Sequence, residues 1–307
     1  MVDVDAFLTT LYVMIDDFCQ TQPTRKRPGP EASLSESEVL TLAIFARWGR
    51  FASERDFYRY ATGHLTDAFP DLPSRPQLNR LTRSYTGSIE RLALYLAELT
   101  QDSHHPYEAL DCSAMPVRDC KRRGGGWLAG YADVGWSNSL GWYEGFSLLA
   151  CVAPSGAITG FCFSAASTSD QSIAETFFAV RETPNERLIS VGSASGGDYV
   201  VDKGFEGAEN HLRWLDVYGA RVVCPPKRNA REVWPKSLRR WVAAIRQIVE
   251  TAYDKLFNAF GLWRERPHEL DGLRARLAAR VALHNFCIWL NDRLGRPRLA
   301  FADLLGW

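Results

Sequence analysis

The sequence predicts an α/β protein: a mixed sheet flanked by helices, preceded by an all-helical N-terminal domain. Three observations predict it. Residues 1–105 carry apolar residues at helical spacing. At Pro106 the texture changes to short apolar runs bounded by Gly and Pro. Beyond it the order reads strand, strand, strand, helix, strand, helix, strand, helix. An antiparallel trio followed by parallel α/β units suits a mixed sheet with helices on both faces. The chain therefore divides into a helical part, 1–105, and an α/β part, 106–307.

Each element has its own signal. Phe7, Leu11, Ile15 and Phe18 stripe a first helix over 3–20. A polar, Pro-rich loop follows. In LSESEVLTLAIFARWG, Ser35 and Glu38 form a capping box, and Gly49 is expected to close the helix. SERDFYRYATGHL reads as a short helix, and LPSRPQLNRLTRSYTGSIERLALYLAELT as two more with a break near Gly87. YEALDCSAMPV is the first strand. GFSLLACVAPSGAITGFCFSAAS holds two strands joined at Pro154, Ser155 and Gly156. SDQSIAETFFAVRE is a helix, DYVVD a strand, GAENHLRWLDVYG a helix, and ARVVCPP a strand that two prolines stop. Long helices are expected over 237–260 and 271–294.

Composition narrows the classes. An apolar content of 46% over 307 residues supports a real core. Lys+Arg and Asp+Glu are both 36, so any nucleic-acid binding rests on how charge is distributed, not on its total. The seven cysteines include no C-x-x-C pair, which points to reduced thiols in a cytosol and neither a disulfide framework nor a zinc site. The Asp-rich N-terminus lacks the basic start of a signal peptide, and no apolar run reaches membrane-spanning length.

The chemistry starts at VVDKGFEG, where an apolar strand ends on Asp202. A carboxylate at a buried strand tip is either a turn residue or a ligand. Asp111 sits in the first strand, and strands one and four are expected to be neighbours. Glu250, in IRQIVETAYDKL, lies on the long helix that would pack across them. Three converging carboxylates bind hard divalent cations, Mg²⁺ or Mn²⁺. Two such ions activate a hydroxyl and steady the leaving oxygen of a phosphodiester. Taken singly, each acid also suits a solvated or capping role.

LDCSAMPV, VVDKGFEG and the Arg246–Glu250 R-x-x-x-E resemble the three acidic motifs of DDE transposases from bacterial insertion sequences. The N-terminal LSESEVLTLAIFARWG, SERDFYRY and LPSRPQLNRL, and the later ARVALHNFCIWLNDRLG, extend the resemblance over roughly residues 30–295. It implies an RNase H-like core with Asp111, Asp202 and Glu250 as catalytic residues and ligands of two Mg²⁺ (or Mn²⁺) ions. It also implies double-stranded DNA as partner, both element ends and target, a homodimer on that DNA, and a place at the bacterial nucleoid. Some members carry a Tyr and a Lys flanking the Glu motif; here those positions are Ala243 and Phe257, with Lys255 nearby. The short stretch between Cys224 and Ser237 leaves no room for the domain that other members insert there. Two other readings stay open: a metal-dependent nuclease without strand transfer, and a catalytically silent DNA-binding protein.

Several stretches suit DNA. Residues 221–246 hold eight basic residues and one acid, 8 − 1 = +7, with Trp234 and Trp241 interleaved. Lys227, Arg228, Arg231, Arg239, Arg240 and Arg246 are the candidate contacts there. Lys121, Arg122 and Arg123 in CKRRGGGW suit phosphates, or a plain hairpin loop. Arg75, Gln77, Asn79, Arg80 and Arg83 occupy polar positions of a segment that resembles the second helix of a helix-turn-helix; an ordinary solvated helix face looks the same. Arg25–Arg27 reads as a basic arm or a charged loop. Lys203 and Arg246 are expected beside the acids as partners for DNA phosphates or for the charge of the acids, with helix packing as the plain alternative. The six histidines lack metal spacing; His104 and His105 suit a linker, and His284 a core position.

Overall fold

The computed structural model describes residues 1–23, 32–100, 107–118, 128, 130–182, 190–192, 197–226, 234–266 and 268–307. Arg25–Arg27, His104, His105, Lys121, Arg122, Arg123, Lys227, Arg228 and Arg231 lie outside the described residues.

Five helices open the chain. Helix α1 (Val4–Thr21) starts where the Asp3 carboxylate accepts from the Ala6 N–H, and it buries Phe7, Leu11, Ile15 and Phe18 as its spacing requires. Helix α2 (Glu36–Phe45) has the expected capping box between Ser35 and Glu38 and is buried on nearly every face. Gly49 does not cap it. The helix ends on Ala46 in right-handed conformation, and Gly49 serves a close approach instead. Its N–H donates to the Ala259 carbonyl at 2.9 Å, and a Cβ there would stand 2.5 Å from that oxygen. Helices α3 (Glu54–His64), α4 (Arg75–Ser84) and α5 (Thr86–Leu99) follow, with the break between α4 and α5 at Tyr85, just before Gly87.

The sheet is built from β1 (Glu108–Arg118), β2 (Asp133–Ser137), β3 (Gly141–Val152), β4 (Ile158–Ala165), β5 (Ser190–Gly192), β6 (Gly197–Val201) and β7 (Ala220–Val223). Its order is β5-β4-β3-β1-β6-β7, with β2 paired to β3 alone. The trio β1, β3 and β4 is antiparallel; β6 and β7 continue parallel on the other side of β1. The first and fourth expected strands, β1 and β6, are thus neighbours. The sequence reading missed β2 and β5. Strand β2 exposes Trp136, which pairs across the ladder with Trp142 at 5.4 Å between ring centroids.

Strand alternation sorts side chains to two faces. Leu148, Ala150 and Val152 join the large core shared with α1, α2, α5 and the two last helices, α8 (Lys236–Asp254) and α9 (Leu270–Arg293). Leu149 and Cys151 face the other way, toward α6 (Asp170–Glu182) and α7 (Ala208–Tyr218) and the rings Phe177, Phe178, Tyr199 and Trp214. Fully burying such side chains stabilises by roughly 1.5–3 kcal/mol each. Helix α8 is shorter than expected and passes into a π-helical turn, Lys255–Ala259. Helix α9 is a central strut buried on all sides. Its Asn285 donates to the carbonyls of Ala93 and Ile158 and accepts from the Ile158 N–H, tying α5 to β4. No described helix is long and apolar enough to cross a membrane.

Candidate active site

The apolar ladder between β1 and β6 sets the site. Glu108, Ala109 and Leu110 pair in parallel with Tyr199, Val200 and Val201, so Asp111 and Asp202 follow side by side where that pairing ends. Asp202 opens the 3₁₀ turn Lys203–Phe205, and its carbonyl accepts from the Phe205 N–H and the Cys224 thiol. Helix α8 crosses the same strand ends. Its Tyr253 hydroxyl lies 2.7 Å from the Asp111 carbonyl oxygen and 2.8 Å from that of Leu148, which fixes the helix one turn beyond Glu250.

Arg246 stands between the three acids. Its guanidinium is 3.5 Å from Asp111, 3.3 Å from Asp202 and 3.7 Å from Glu250, one turn ahead on the same helix. Asp111 is the deep member, its side chain 16% exposed against 38% for Asp202 and 50% for Glu250. Burial pushes the Asp111 carboxyl up to about 6, Asp202 adds to this, and Arg246 and the Cys112 N–H oppose it.

A fourth carboxylate, Asp170, joins the site from the first turn of α6. A Cβ on Gly204 would meet its Oδ2 at 2.2 Å, so Gly204 lets the Asp170 carboxylate lie close against the Asp202 turn. Burial, with the charge of Asp202 adding, raises the Asp170 carboxyl, while Cys112 opposes the rise. Sequence reasoning missed Asp170 because an acid at N1 of a helix is ordinary capping chemistry.

The donor set is all oxygen, which suits Mg²⁺ or Mn²⁺ in chemistry. As placed, the acids share a guanidinium instead of enclosing a common point. Among the described residues no group of three His, Cys, Asp or Glu side chains is gathered closely enough to hold a metal ion. A bound cation would have to displace Arg246.

The remaining predicted contacts fall in two regions. Arg239 and Arg240 are exposed on the first turns of α8. Trp241 is 44% exposed and stands edge-on to Tyr107, whereas Trp234 packs against the core. Lys203 is exposed on the turn after Asp202. On α4, Arg75, Gln77 and Arg80 are exposed, while Asn79 and Arg83 are partly buried and Arg83 pairs with Glu269 at the head of α9. Residues 65–74, ten in all, separate α3 from α4. A helix-turn-helix has a turn of about 3–4 residues, so that part of the resemblance is not met in the linkage.

The described cysteines are free, and burial raises the thiols of Cys112, Cys151, Cys162 and Cys287, as expected of packing residues and not nucleophiles. His284 is fully buried; its Nε2 is 2.9 Å from the Gly156 carbonyl and its Nδ1 has no partner among the described residues. No protein-family model, no curated protein and no solved structure matches the chain.

Proposed function

We propose that this chain is a DDE-type DNA transposase, with an RNase H-like catalytic part and a helical N-terminal part that binds DNA. One observation carries the reading: an aspartate within the central strand, where its parallel pairing stops, an aspartate just after the parallel neighbour and a glutamate on a late helix meet around one arginine. The resemblance places its acids in that way, on the first and fourth strands of the core and on a helix that crosses them. The parallel pairing of β1 with β6 supports the same reading.

Asp111, Asp202 and Glu250 would hold two divalent ions, which when bound lower the pKa of an attacking hydroxyl and steady the leaving oxygen. The chain's own residues do the rest. Tyr253 fixes the backbone of Asp111 relative to Glu250. Arg246 neutralises the acids and holds them together, and were a cation to take its place its guanidinium would be free to meet a phosphate. Asp202 and Glu250 are exposed enough for a duplex to reach them from outside. Arg239, Arg240 and Trp241 line the approach along α8 and suit a strand held by charge and stacking. Two element ends must be handled together, so the working form is a homodimer on DNA.

The test is Mg²⁺-dependent nicking and joining of duplex DNA carrying the sequences that flank the reading frame, with wild type and Asp202→Asn. Cleavage and joining that both vanish in the variant support the transposase. Cleavage without joining leaves a nuclease, and binding without cleavage in either protein leaves a DNA-binding protein.

A further inference from the structure

Away from the acids, the link between α2 and α3, the turn over 260–266 and helix α9 enclose a cleft of about 280 Å³. Among the described residues seven arginines line it against two glutamates, an excess of 7 − 2 = 5 positive charges. Arg47, Arg276 and Arg280 form its inner wall and share Glu54 and Glu265. Arg276 is 2.7 Å from Glu54 and 2.9 Å from Glu265, and Arg280 is 2.7 Å from Glu265. Arg47 stands off from Glu265 at 3.6 Å and from Glu54 at 3.9 Å, too far for a hydrogen bond.

Arg47 is only 7% exposed. Burial, reinforced by Arg280, lowers its guanidinium to about 10, as expected where cations outnumber the acids that balance them. Burial alone would raise Glu265, yet Arg280, Arg276 and Arg47 pull it down to about 2. Toward the mouth, Arg264 donates to the Gly49 carbonyl and Arg266 to the carbonyls of Trp263 and Glu265. These acceptors are neutral, and among the described residues no carboxylate pairs with either guanidinium. Trp48 also lines the cleft; it is 7% exposed, and its buried indole N–H has no partner among the described residues. A buried donor and a buried excess of cations are both costly unless an anion answers them.

We infer that this cleft binds a phosphate oxyanion, carried either by a DNA backbone or by a small free phosphate compound. Guanidinium forks match phosphate oxygens two at a time, and the size of the charge excess favours a dianion or several phosphates over a lone carboxylate. The N-terminus of α3, at Ser53 and Glu54, opens onto the same space and adds its positive end. Arg75 of α4 also lines the cleft, so a duplex lying on α4 would bring phosphates to its mouth. None of the three catalytic candidates takes part, and the inference stands whether or not the chain cuts DNA.

The test uses the full chain. Inorganic phosphate binding is followed by calorimetry and thermal unfolding at constant ionic strength, with chloride as the balancing anion, and affinity for a short duplex is measured across a salt series. Wild type is compared with the exposed pair Arg55→Gln, Arg266→Gln, both residues of the cleft lining with Arg55 on the first turn of α3, and with the wall variant Arg47→Met. Saturable phosphate binding, weakened about tenfold in the exposed pair, is expected. If the duplex is unaffected by that pair, the natural ligand is a free phosphate compound. If duplex affinity falls, the salt slope drops by about 1–2 and phosphate competes, the ligand is the DNA backbone. Asp202→Asn should bind phosphate as wild type does, which keeps this outcome separate from the transposase reading. Should Arg47→Met fail to fold, the exposed pair decides. Phosphate no more stabilising than chloride, with unchanged duplex affinity and salt slope in the exposed pair, would overturn the inference.

Discussion

The Tyr253 hydroxyl lies 2.7 Å from the carbonyl oxygen of Asp111, so the helix that carries Glu250 is fastened to the strand that carries Asp111 at Asp111 itself. The same hydroxyl reaches the Leu148 carbonyl on the next strand, and Tyr253 is buried. Tyr253→Phe keeps the ring and removes only this tie. It should cost about 1–2 kcal/mol in denaturant unfolding. It should also slow DNA cleavage by about tenfold or more without changing DNA affinity, because misplacement by a fraction of an ångström is felt in the reaction and not in binding. Cleavage at the wild-type rate would show that the tie is structural only.

On the proposed reading, Arg246 would compete with a divalent cation for the three acids. Arg246→Gln should therefore tighten Mn²⁺ binding by about tenfold in the absence of DNA, read by Mn²⁺ paramagnetic resonance, since an opposite charge this close shifts carboxylate equilibria by about 1–3 units. In the same variant the Asp111 carboxyl should titrate higher than in wild type, because the guanidinium opposes the rise that burial causes. Unchanged Mn²⁺ affinity would contradict the competition.

Much of this site was legible in the sequence, for a reason that Val200, Val201 and Asp202 illustrate. A β-branched run fixes the strand, and an acid directly after it marks the strand's end. Glu250 was legible through its spacing from Arg246 on a strongly striped helix. Asp170 was not, because the first turn of α6 meets the Asp202 turn only in the folded chain, a tertiary fact with no local pattern. The arginine cleft was illegible for the same reason: Arg47 and Arg280 are 233 positions apart (280 − 47), and each reads alone as part of a helix. Strand β2 escaped because its five residues carry an exposed Trp and pair on one side only.

Below the sheet, Glu108 and Arg181 form a buried bidentate pair at 2.7 Å and 3.0 Å, and Arg181 also donates to the Tyr199 hydroxyl at 2.9 Å. Burial would raise Glu108, yet Arg181 holds it below the usual carboxylate range. Arg181→Met leaves that carboxylate buried without its partner and should destabilise by about 3–5 kcal/mol. Adding Glu108→Gln should restore part of the loss, measured by chemical denaturation of the single and double variants. Strictly additive losses would show that the two residues do not act as a pair.

His284 should make the fold acid-sensitive. Burial lowers its imidazole to about 4, the Gly156 carbonyl opposing and Lys255 adding to the fall. The unfolded chain takes up the proton near the ordinary histidine value of about 6.5. The stability this neutral ring contributes is thus full above about pH 6.5 and is lost as pH falls toward 4, by up to roughly 3 kcal/mol. His284→Gln should be less stable at pH 7 and should lose less between pH 7 and 4. A parallel decline in both proteins would place the acid sensitivity elsewhere.

The most direct measurement compares Asp111→Asn, Asp202→Asn and Glu250→Gln in Mg²⁺-dependent cleavage and joining of the flanking DNA. Each should lose activity by a factor of about 10³ or more while binding the same duplex with wild-type affinity, as groups that act as one unit do. An active wild type with any one of the three variants retaining near-wild-type cleavage would contradict a single three-acid site around Arg246.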